Sequence, residues 1–264
     1  MDEIGFQPDL YSIWKGATKW EGKPIFRFSL NRLWALFFWI PYWAWKKPRV
    51  FKDILLELWN RPCPTLQNWN ETFLALGFAL VEAHRIKEKD YTLLHGVWAT
   101  MPATAAFALS KLTDTPFSMG AHAYDVFREG GDWILGLKFD SASFIRTSSL
   151  STAKRIKELG VHQDKVKLIR RGLAYWPTRA GFELVNNERL EMVSVGRLVE
   201  KKGYFNQLII ANRLNDMGIP FRLRIVGSGP LKKELYLERE RLGLREKVEF
   251  LGSLDQECIR ECYI

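Results

Sequence analysis

Two cationic residues, Arg197 and Lys202, stand beside glycines directly after a short apolar run, a pattern that suits an anionic ligand. The run reads MVSVG at 192–196, and Gly203 follows Lys202. Glycine lets a backbone approach a ligand closely, and a fixed cation neutralises an anion. Each residue taken alone also fits an ordinary turn with solvated charges. The combination predicts a phosphate-binding site.

Three apolar runs that each end in glycine predict the strands that hold this site. They read MVSVG at 192–196, RLRIVG at 222–227 and VEFLG at 248–252, with helical patterns between them. Parallel neighbours need a crossover connection, and the helical patterns between these runs supply one. The strands are therefore expected to pair in parallel. Ligands of parallel sheets bind beyond the carboxyl ends of the strands. Arg197 and Lys202 are therefore expected at the ligand edge of a sheet.

The segments around these glycines resemble the donor-binding domain of glycosyltransferase family four, which are retaining enzymes of GT-B architecture. The matching stretches are VGRLVEKKG from Val195 to Gly203 and IVGSGPL from Ile225 to Leu231. The resemblance implies that Arg197 and Lys202 bind the diphosphate of a nucleotide sugar, which is a substrate, and that no cofactor or metal is needed. It also implies a donor cleft lined by two loops, which contain Gly196, Gly227, Ser228, Gly229 and Pro230.

A second motif, FSMGAHAYDVF, contains His122 and Asp125 and is similar to the acceptor-domain motif of the same family. The resemblance implies that His122 lines the reaction centre and contacts the transferred sugar, and that Asp125 shapes this loop or the acceptor site. His95 lies in HGVWATMPAT, where the family usually reads His-Ala-His-Trp-Ala, and is expected on the acceptor side. Without the motif, His122 would be interpreted as a buried structural histidine.

The strand pattern and the resemblance together predict an α/β fold with two Rossmann-like domains of GT-B type, both incomplete, and a helical, Trp-rich amino-terminal insertion. Arg197 and Lys202 are expected to face a cleft shared with His122. The predicted division is a helical part of the acceptor domain at 1–90, its Rossmann-like part at 91–173, a linker at 174–188 and the first half of the donor domain at 189–264.

The amino-terminal region contains thirteen consecutive apolar residues, LWALFFWIPYWAW at 33–45, followed by Lys46, Lys47 and Arg49. This run is too short to span a bilayer, which takes about 20 residues. A helix this apolar with basic flanks fits the membrane interface, and 25–49 is the candidate segment. Burial against the rest of the domain explains the run equally well.

The next stretch, 52–89, predicts two helices broken at Arg61-Pro62-Cys63-Pro64, because proline interrupts helical hydrogen bonding. This region resembles the helical insertion of family members that build bacterial exopolysaccharides, including those of the colanic-acid type. The resemblance implies an acceptor that is a saccharide or a lipid-linked saccharide.

Composition limits the partners and the compartment. The net charge of +9 suits anionic partners, among them a membrane surface, but the chain has no nucleic-acid motif, and no nucleic acid is expected. Three cysteines without a C-x-x-C indicate neither a disulfide framework nor a zinc site and favour a reducing compartment. Residues 1–10 do not resemble a secretory signal. We expect a cytoplasmic protein, peripheral on the inner face of the membrane.

Two departures from the family pattern concern the ends of the sequence. Residues 1–24 show no strand, glycine loop and helix of the kind that opens the family's first domain. The family's E-x7-E motif would lie beyond Ile264, after a helix for which Ser253 and Gln256 predict a capping box. The chain is expected to be truncated at both ends and inactive by itself.

Two other classes of protein share features with this sequence. A nucleotide-dependent oxidoreductase would show a third glycine after Gly227-x-Gly229, and Pro230, Leu231 and Lys232 follow instead. A non-catalytic, membrane-associated interaction protein of a polysaccharide-assembly complex remains the alternative. The favoured function is transfer of a sugar from a nucleotide-diphosphate donor, with retention, in polysaccharide biosynthesis.

Overall fold

The chain divides into two units, Met1–Leu173 and Ala174–Ile264. The structure is a computed structural model that describes residues 7–14, 16–127, 132–170, 172 and 189–263. The predicted linker at 174–188 lies outside the described residues.

Three helices form the helical part of the first unit: α1 (Leu36–Lys46), α2 (Pro48–Asn60) and α3 (Leu66–Glu88). Pro48 begins α2, where its missing N–H costs nothing. Thr65 caps α3, since its hydroxyl accepts the backbone N–H of Asn68 at 3.1 Å. The predicted break between the two helices of 52–89 is confirmed.

A small sheet precedes these helices, for which the sequence analysis named no strands. Strand β1 (Leu10–Ser12) runs parallel to β3 (Lys23–Arg27), and β2 (Lys19–Trp20) runs antiparallel to β3. The turn between β2 and β3 is made by Glu21 and Gly22, whose φ angles are 47° and 79°. A hairpin turn of this kind needs positive φ, so the Glu-Gly pair was the available sequence signal.

A four-stranded parallel sheet forms the rest of the first unit, in the order β4-β5-β6-β7. Helix α7 is capped by Ser149, whose hydroxyl accepts the N–H of Thr152 at 3.1 Å. Apolar side chains such as Phe107, Met119 and Ile145 form the core between this sheet and its helices. The elements are β4 (Leu94–Gly96), α4 (Met101–Thr113), β5 (Phe117–Gly120), α5 (Tyr124–Phe127), α6 (Leu135–Ser141), β6 (Ile145–Thr147), α7 (Leu150–Glu158) and β7 (Val166–Leu168).

The second unit contains a three-stranded parallel sheet in the order β10-β9-β8. Its core is formed by side chains such as Leu208, Ile225 and Leu235. All three apolar runs ending in glycine are strands, as predicted. The elements are β8 (Leu190–Val195), α8 (Tyr204–Asp216), β9 (Phe221–Val226), α9 (Lys232–Arg241), β10 (Val248–Gly252) and α10 (Gln256–Glu261).

The cap of α10 differs from the predicted one. Asp255, not Ser253, is the N-cap, and its carboxylate accepts the N–H of Cys258 at 2.8 Å. Hydrogen bonding to the backbone lowers the pKa of Asp255. The capping box was wrong because α10 begins two residues later than the Ser253–Gln256 spacing requires. The carboxylate next to the first turn takes the hydrogen bond instead.

Candidate functional site

In the second unit, the loops after β8 and β9 are joined by their backbones at the carboxyl edge of the sheet. The N–H of Gly196 donates to the carbonyl of Val226 at 2.9 Å, and that of Leu198 donates to Ser228 at 3.0 Å. Leu231 donates back to Leu198 at 3.2 Å. These bonds make one platform of the two loops that the sequence predicted to line a ligand cleft.

The close approach of the two loops explains Gly227 and Gly229. A Cβ atom at Gly227, where φ is +138°, would lie 1.9 Å from the carbonyl oxygen of Gly196. A Cβ at Gly229 would lie 2.4 Å from the carbonyl oxygen of Leu198. Both distances are far below van der Waals contact, so these positions accept only glycine without a shift of the backbone. Ser228 and Pro230 are exposed on the rim of the platform.

Arg197 and Lys202 are both exposed on this platform. Between them, Leu198 is 1% exposed and fixes the loop in the apolar core. Lys202 runs alongside the end of β8, since its Cε lies 3.9 Å from where a Cβ at Gly196 would stand. Within residues 189–263, neither cation forms an ion pair. Their charge is therefore available to an anionic ligand.

Tyr204 supports this loop from the core. It is buried at the start of α8, and its hydroxyl lies 3.0 Å from where a Cβ at Gly196 would stand. Burial raises the pKa of Tyr204, against the effect of a hydrogen bond to Ser194. The neutral phenol therefore acts as a packing group in this loop. No motif in the sequence marks Tyr204 as part of the site.

In the first unit, Asp125 organises the loop that carries His122. Its carboxylate is buried and accepts three backbone N–H groups: those of Ala99 at 3.2 Å, His122 at 3.2 Å and Ala123 at 2.7 Å. A carboxylate used in this way joins the loop after β4 to the loop after β5. Of the two roles predicted for Asp125, this geometry supports the shaping of the loop, so Asp125 is a positioning residue.

His122 is held on both sides of its peptide. Its carbonyl accepts a hydrogen bond from the hydroxyl of Thr152, and its ring meets the Trp98 ring edge-on at 5.0 Å between centroids. The ring also fills the space above Gly120, since a Cβ there would lie 3.0 Å from His122 Nε2. The half-buried imidazole is thus fixed at the carboxyl end of β5.

His95 lies in the same neighbourhood, on β4. Its Nδ1 is 2.8 Å from the hydroxyl oxygen of Ser118. Its side chain is partly exposed to solvent, and its pKa is lowered first by partial desolvation and then by the charges of Arg146 and His122. The first unit therefore brings His95, His122 and Asp125 together, as the motif positions predicted. Sequence reasoning missed Trp98, Ser118 and Arg146, although Trp98 stands inside the HGVWA stretch.

A buried ion pair lies behind this cluster. The Lys138 ammonium on α6 is fully buried and bonds the Asp132 carboxylate, the carbonyl of Ala99 and, at 3.0 Å, the hydroxyl of Thr104. Asn68 of α3 donates to the other oxygen of Asp132 at 3.3 Å. The peptide groups of Ala99 thus link the buried ion pair to Asp125, because its carbonyl accepts a hydrogen bond from Lys138 and its N–H donates one to Asp125.

The two sets of residues lie in different units, each described by itself. Arg197 and Lys202 belong to one unit, whereas His95, His122 and Asp125 belong to the other. That they face a common cleft stays a prediction. Among the described residues, no three or more His, Cys, Asp or Glu side chains are grouped as metal ligands would be.

Comparison with known proteins finds similarity in part of the chain. Residues 180–264 match the family model described as "Glycosyl transferases group 1". A curated protein of Salmonella typhimurium (strain LT2), named as a colanic acid biosynthesis glycosyltransferase, WcaL, is 34% identical over 102 residues. The match covers 38% of this chain and 25% of that relative, so the chain spans about a quarter of the curated relative's length.

Solved structures show the same fold. The lipopolysaccharide outer core galactosyltransferase WaaB matches with a TM-score of 0.54 at 12% identity, over 71% of this chain and 51% of WaaB. TarM matches with a TM-score of 0.54 at 12% identity, over 69% of this chain and 38% of TarM. The predicted α/β fold of GT-B type, with Rossmann-like sheets and a helical amino-terminal part, is confirmed.

The buried pair generates a stability prediction. Lys138→Met should lower the free energy of unfolding by about 3–5 kcal/mol, because it leaves the Asp132 carboxylate buried without its cation. The double variant Lys138→Met/Asp132→Asn removes both charges and should recover much of this loss. Urea unfolding followed by tryptophan fluorescence checks this, since ten of the eleven tryptophans precede residue 174. Equal stability of the single variant and the parent would contradict it.

The environment of His95 generates a prediction about pH. Its folded-state pKa lies below the ordinary value, so as pH falls below about 6.5 the unfolded chain takes up a proton before the folded chain does. His95 should therefore destabilise the fold progressively as pH falls through this window. NMR titration of the imidazole should give a pKa below about 6.5.

Arg146→Met serves as the companion variant for this titration. It should raise the pKa of His95 only part of the way, because partial desolvation is the larger cause. A pKa of His95 at or above the ordinary value in the parent would show that the imidazole is not held in this environment.

Proposed function

We propose that this chain is part of a glycosyltransferase of polysaccharide biosynthesis that moves a sugar from a nucleotide-diphosphate donor to a saccharide or lipid-linked saccharide. One observation carries the proposal. Arg197 and Lys202 project without ion-pair partners in the described second unit, from a glycine-built platform at the carboxyl edge of a parallel sheet. This edge is where such sheets bind nucleotides.

In this proposal Arg197 and Lys202 bind the diphosphate. The leaving nucleoside diphosphate gains negative charge as the glycosidic bond breaks, so the two cations stabilise the transition state more than the bound donor. Helix α8 begins at Tyr204, directly after this loop, and its amino end adds backbone N–H groups that favour an anion. Gly227 and Gly229 let the two loops pack against each other and so fix the platform from which the cations would meet the phosphates.

His122 is proposed to contact the transferred sugar. Its ring is positioned by Trp98, and its peptide by Asp125 and Thr152, so a hydrogen bond to a sugar hydroxyl would meet a group that is already oriented. His95 is proposed to line the acceptor side. Its lowered pKa keeps it neutral near pH 7, which lets it accept as well as donate a hydrogen bond.

We further propose that transfer proceeds with retention at the anomeric carbon. In an internal-return reaction the bond between the anomeric carbon and the phosphate oxygen breaks, and that phosphate oxygen takes the proton of the acceptor hydroxyl. The acceptor oxygen then bonds to the anomeric carbon on the same face. This route needs no protein nucleophile, and the proposed roles of Arg197, Lys202 and His122 are limited to charge stabilisation and positioning. The free thiols of Cys63, Cys258 and Cys262 support a cytoplasmic location.

Nucleotide binding tests the proposal. Lys202→Ala should weaken binding of the preferred nucleoside diphosphate by about 1.5–3 kcal/mol, or roughly ten- to a hundredfold in Kd, because a charged hydrogen bond to phosphate is lost. Lys201→Ala is the matched control, since Lys201 is also an exposed lysine in the same turn, Glu200–Lys202. Isothermal titration of the parent with UDP, GDP and ADP first identifies the preferred nucleotide.

Two results would overturn the proposal. One is a parent chain that binds none of the three nucleotides. The other is a parent that binds while Lys201→Ala and Lys202→Ala lose the same affinity, since general electrostatics would then explain the binding. Equal binding by Lys202→Ala and the parent would remove Lys202 from the site.

A further inference from the structure

Helix α1 divides the aromatic run of the amino-terminal region between two faces. One face packs on α3: Trp43 is 2% exposed, and its indole N–H donates to the carbonyl of Leu80 at 3.0 Å. Trp39, one turn earlier, stacks on His84 with 5.8 Å between ring centroids. The alternatives of burial and interfacial exposure therefore apply to different faces of one helix.

Four large exposed rings on the other side form what we call the aromatic stripe: Phe37, Phe38 and Trp45 of α1, and Trp34 of the 3-10 helix Leu30–Ala35 that precedes it. Their exposed fractions are 85%, 64%, 82% and 71% in that order. Phe38 and Trp45 are seven residues apart and Phe37 and Trp45 are eight apart, which places these three on one side of α1. The Trp34 ring joins them, since its centroid lies 6.0 Å from that of Phe38. Such rings present on the order of 500 Å² of apolar surface, which is large for a patch on a monomer. The stripe therefore fits an interaction surface.

The charged residues of the segment that carries the aromatic stripe have a single sign. Between Glu21 and Asp53 the sequence contains seven Lys or Arg residues and no Asp or Glu. Among the described residues, Arg32 pairs with Glu82 and Lys47 pairs with Asp114, both acids from other segments. The segment as a whole still keeps a strong positive charge beside exposed aromatic rings. This combination is typical of helices that lie on anionic membranes.

We infer that the aromatic stripe docks the protein on an anionic lipid bilayer. The rings would insert at the boundary between headgroups and acyl chains, while the neighbouring Lys and Arg side chains meet the headgroups. None of the helices in the described ranges has both the length and the apolar character needed to cross a bilayer, so the inferred contact is on one surface. The inference stands apart from the proposed sugar transfer.

Two features favour a bilayer over a second copy of this chain. A second copy would bring an equally basic segment against the first, and like charges at an interface are repulsive. The Trp43 hydrogen bond and the Trp39–His84 stack also hold α1 on α3, so the stripe is displayed without rearrangement of the helix. The positive charge of this segment complements anionic headgroups, and a fluid bilayer can adapt to a rigid row of aromatic rings.

Vesicle binding by the full chain tests the inference. The parent should co-sediment with phosphatidylcholine vesicles containing phosphatidylglycerol, less with pure phosphatidylcholine, and less at high salt. Phe37→Glu/Trp45→Glu should lower the partition coefficient by roughly tenfold or more, because two rings leave the interface and two charges enter it. Both side chains are more than 80% exposed, so the fold should persist, which far-UV circular dichroism checks.

The matched control is Met217→Glu/Leu237→Glu, which makes the same charge change at exposed apolar residues of the second unit. It should bind vesicles nearly as the parent does. The inference is overturned if the parent does not bind anionic vesicles, or if both double variants lose the same affinity. It is overturned as well if sedimentation velocity without lipid shows a dimer that Phe37→Glu/Trp45→Glu abolishes. Nucleotide titration of that variant should match the parent, which separates this test from that of the proposed function.

Discussion

The buried ion pair between Lys138 and Asp132 is the interaction on which the first unit depends. An isolated ion in a protein interior costs several kcal/mol, so the groups around it must stay in place for the fold to be stable. Here those groups come from separate parts of the chain: Asp132, Thr104 and the carbonyl of Ala99. The N–H of Ala99 then bonds Asp125, which fixes the peptide of His122. The position of the candidate sugar-contacting histidine is thus tied, through one peptide, to a charge in the core.

Within residues 189–263, the second unit positions its functional side chains without a buried charged residue. Its two loops are aligned by backbone hydrogen bonds, which form because Gly227 and Gly229 have no side chain to keep the strands' ends apart. Arg197 and Lys202 can then remain exposed, with the buried Leu198 as their anchor. One unit fixes its functional side chain through a polar network, and the other fixes its cations through close backbone packing.

The sequence predicted the parallel strands, the helices between them and the break before α3, because each depends on local patterns of apolar residues, glycine and proline. It placed His95, His122 and Asp125 near one another through motif positions at strand ends. It did not predict the role of Lys138, since a lysine in an amphipathic segment looks like a surface charge until its distant partner Ala99 is known. The run at 33–45 stayed ambiguous because thirteen apolar residues in succession hide which face of the helix is covered.

The hydrogen bonds between the loops after β8 and β9 also bear on how this site can diversify. A loop that lengthens by even one residue would misalign the bonds joining Leu198 to Ser228 and to Leu231. New ligand preferences are therefore not expected to arise from changes of loop length in proteins that keep this platform. Substitution at the exposed rim positions, Ser228 and Pro230, remains open, because their side chains lie outside the backbone contacts. Evolution of this part of the site is confined to exchanging side chains on a fixed frame.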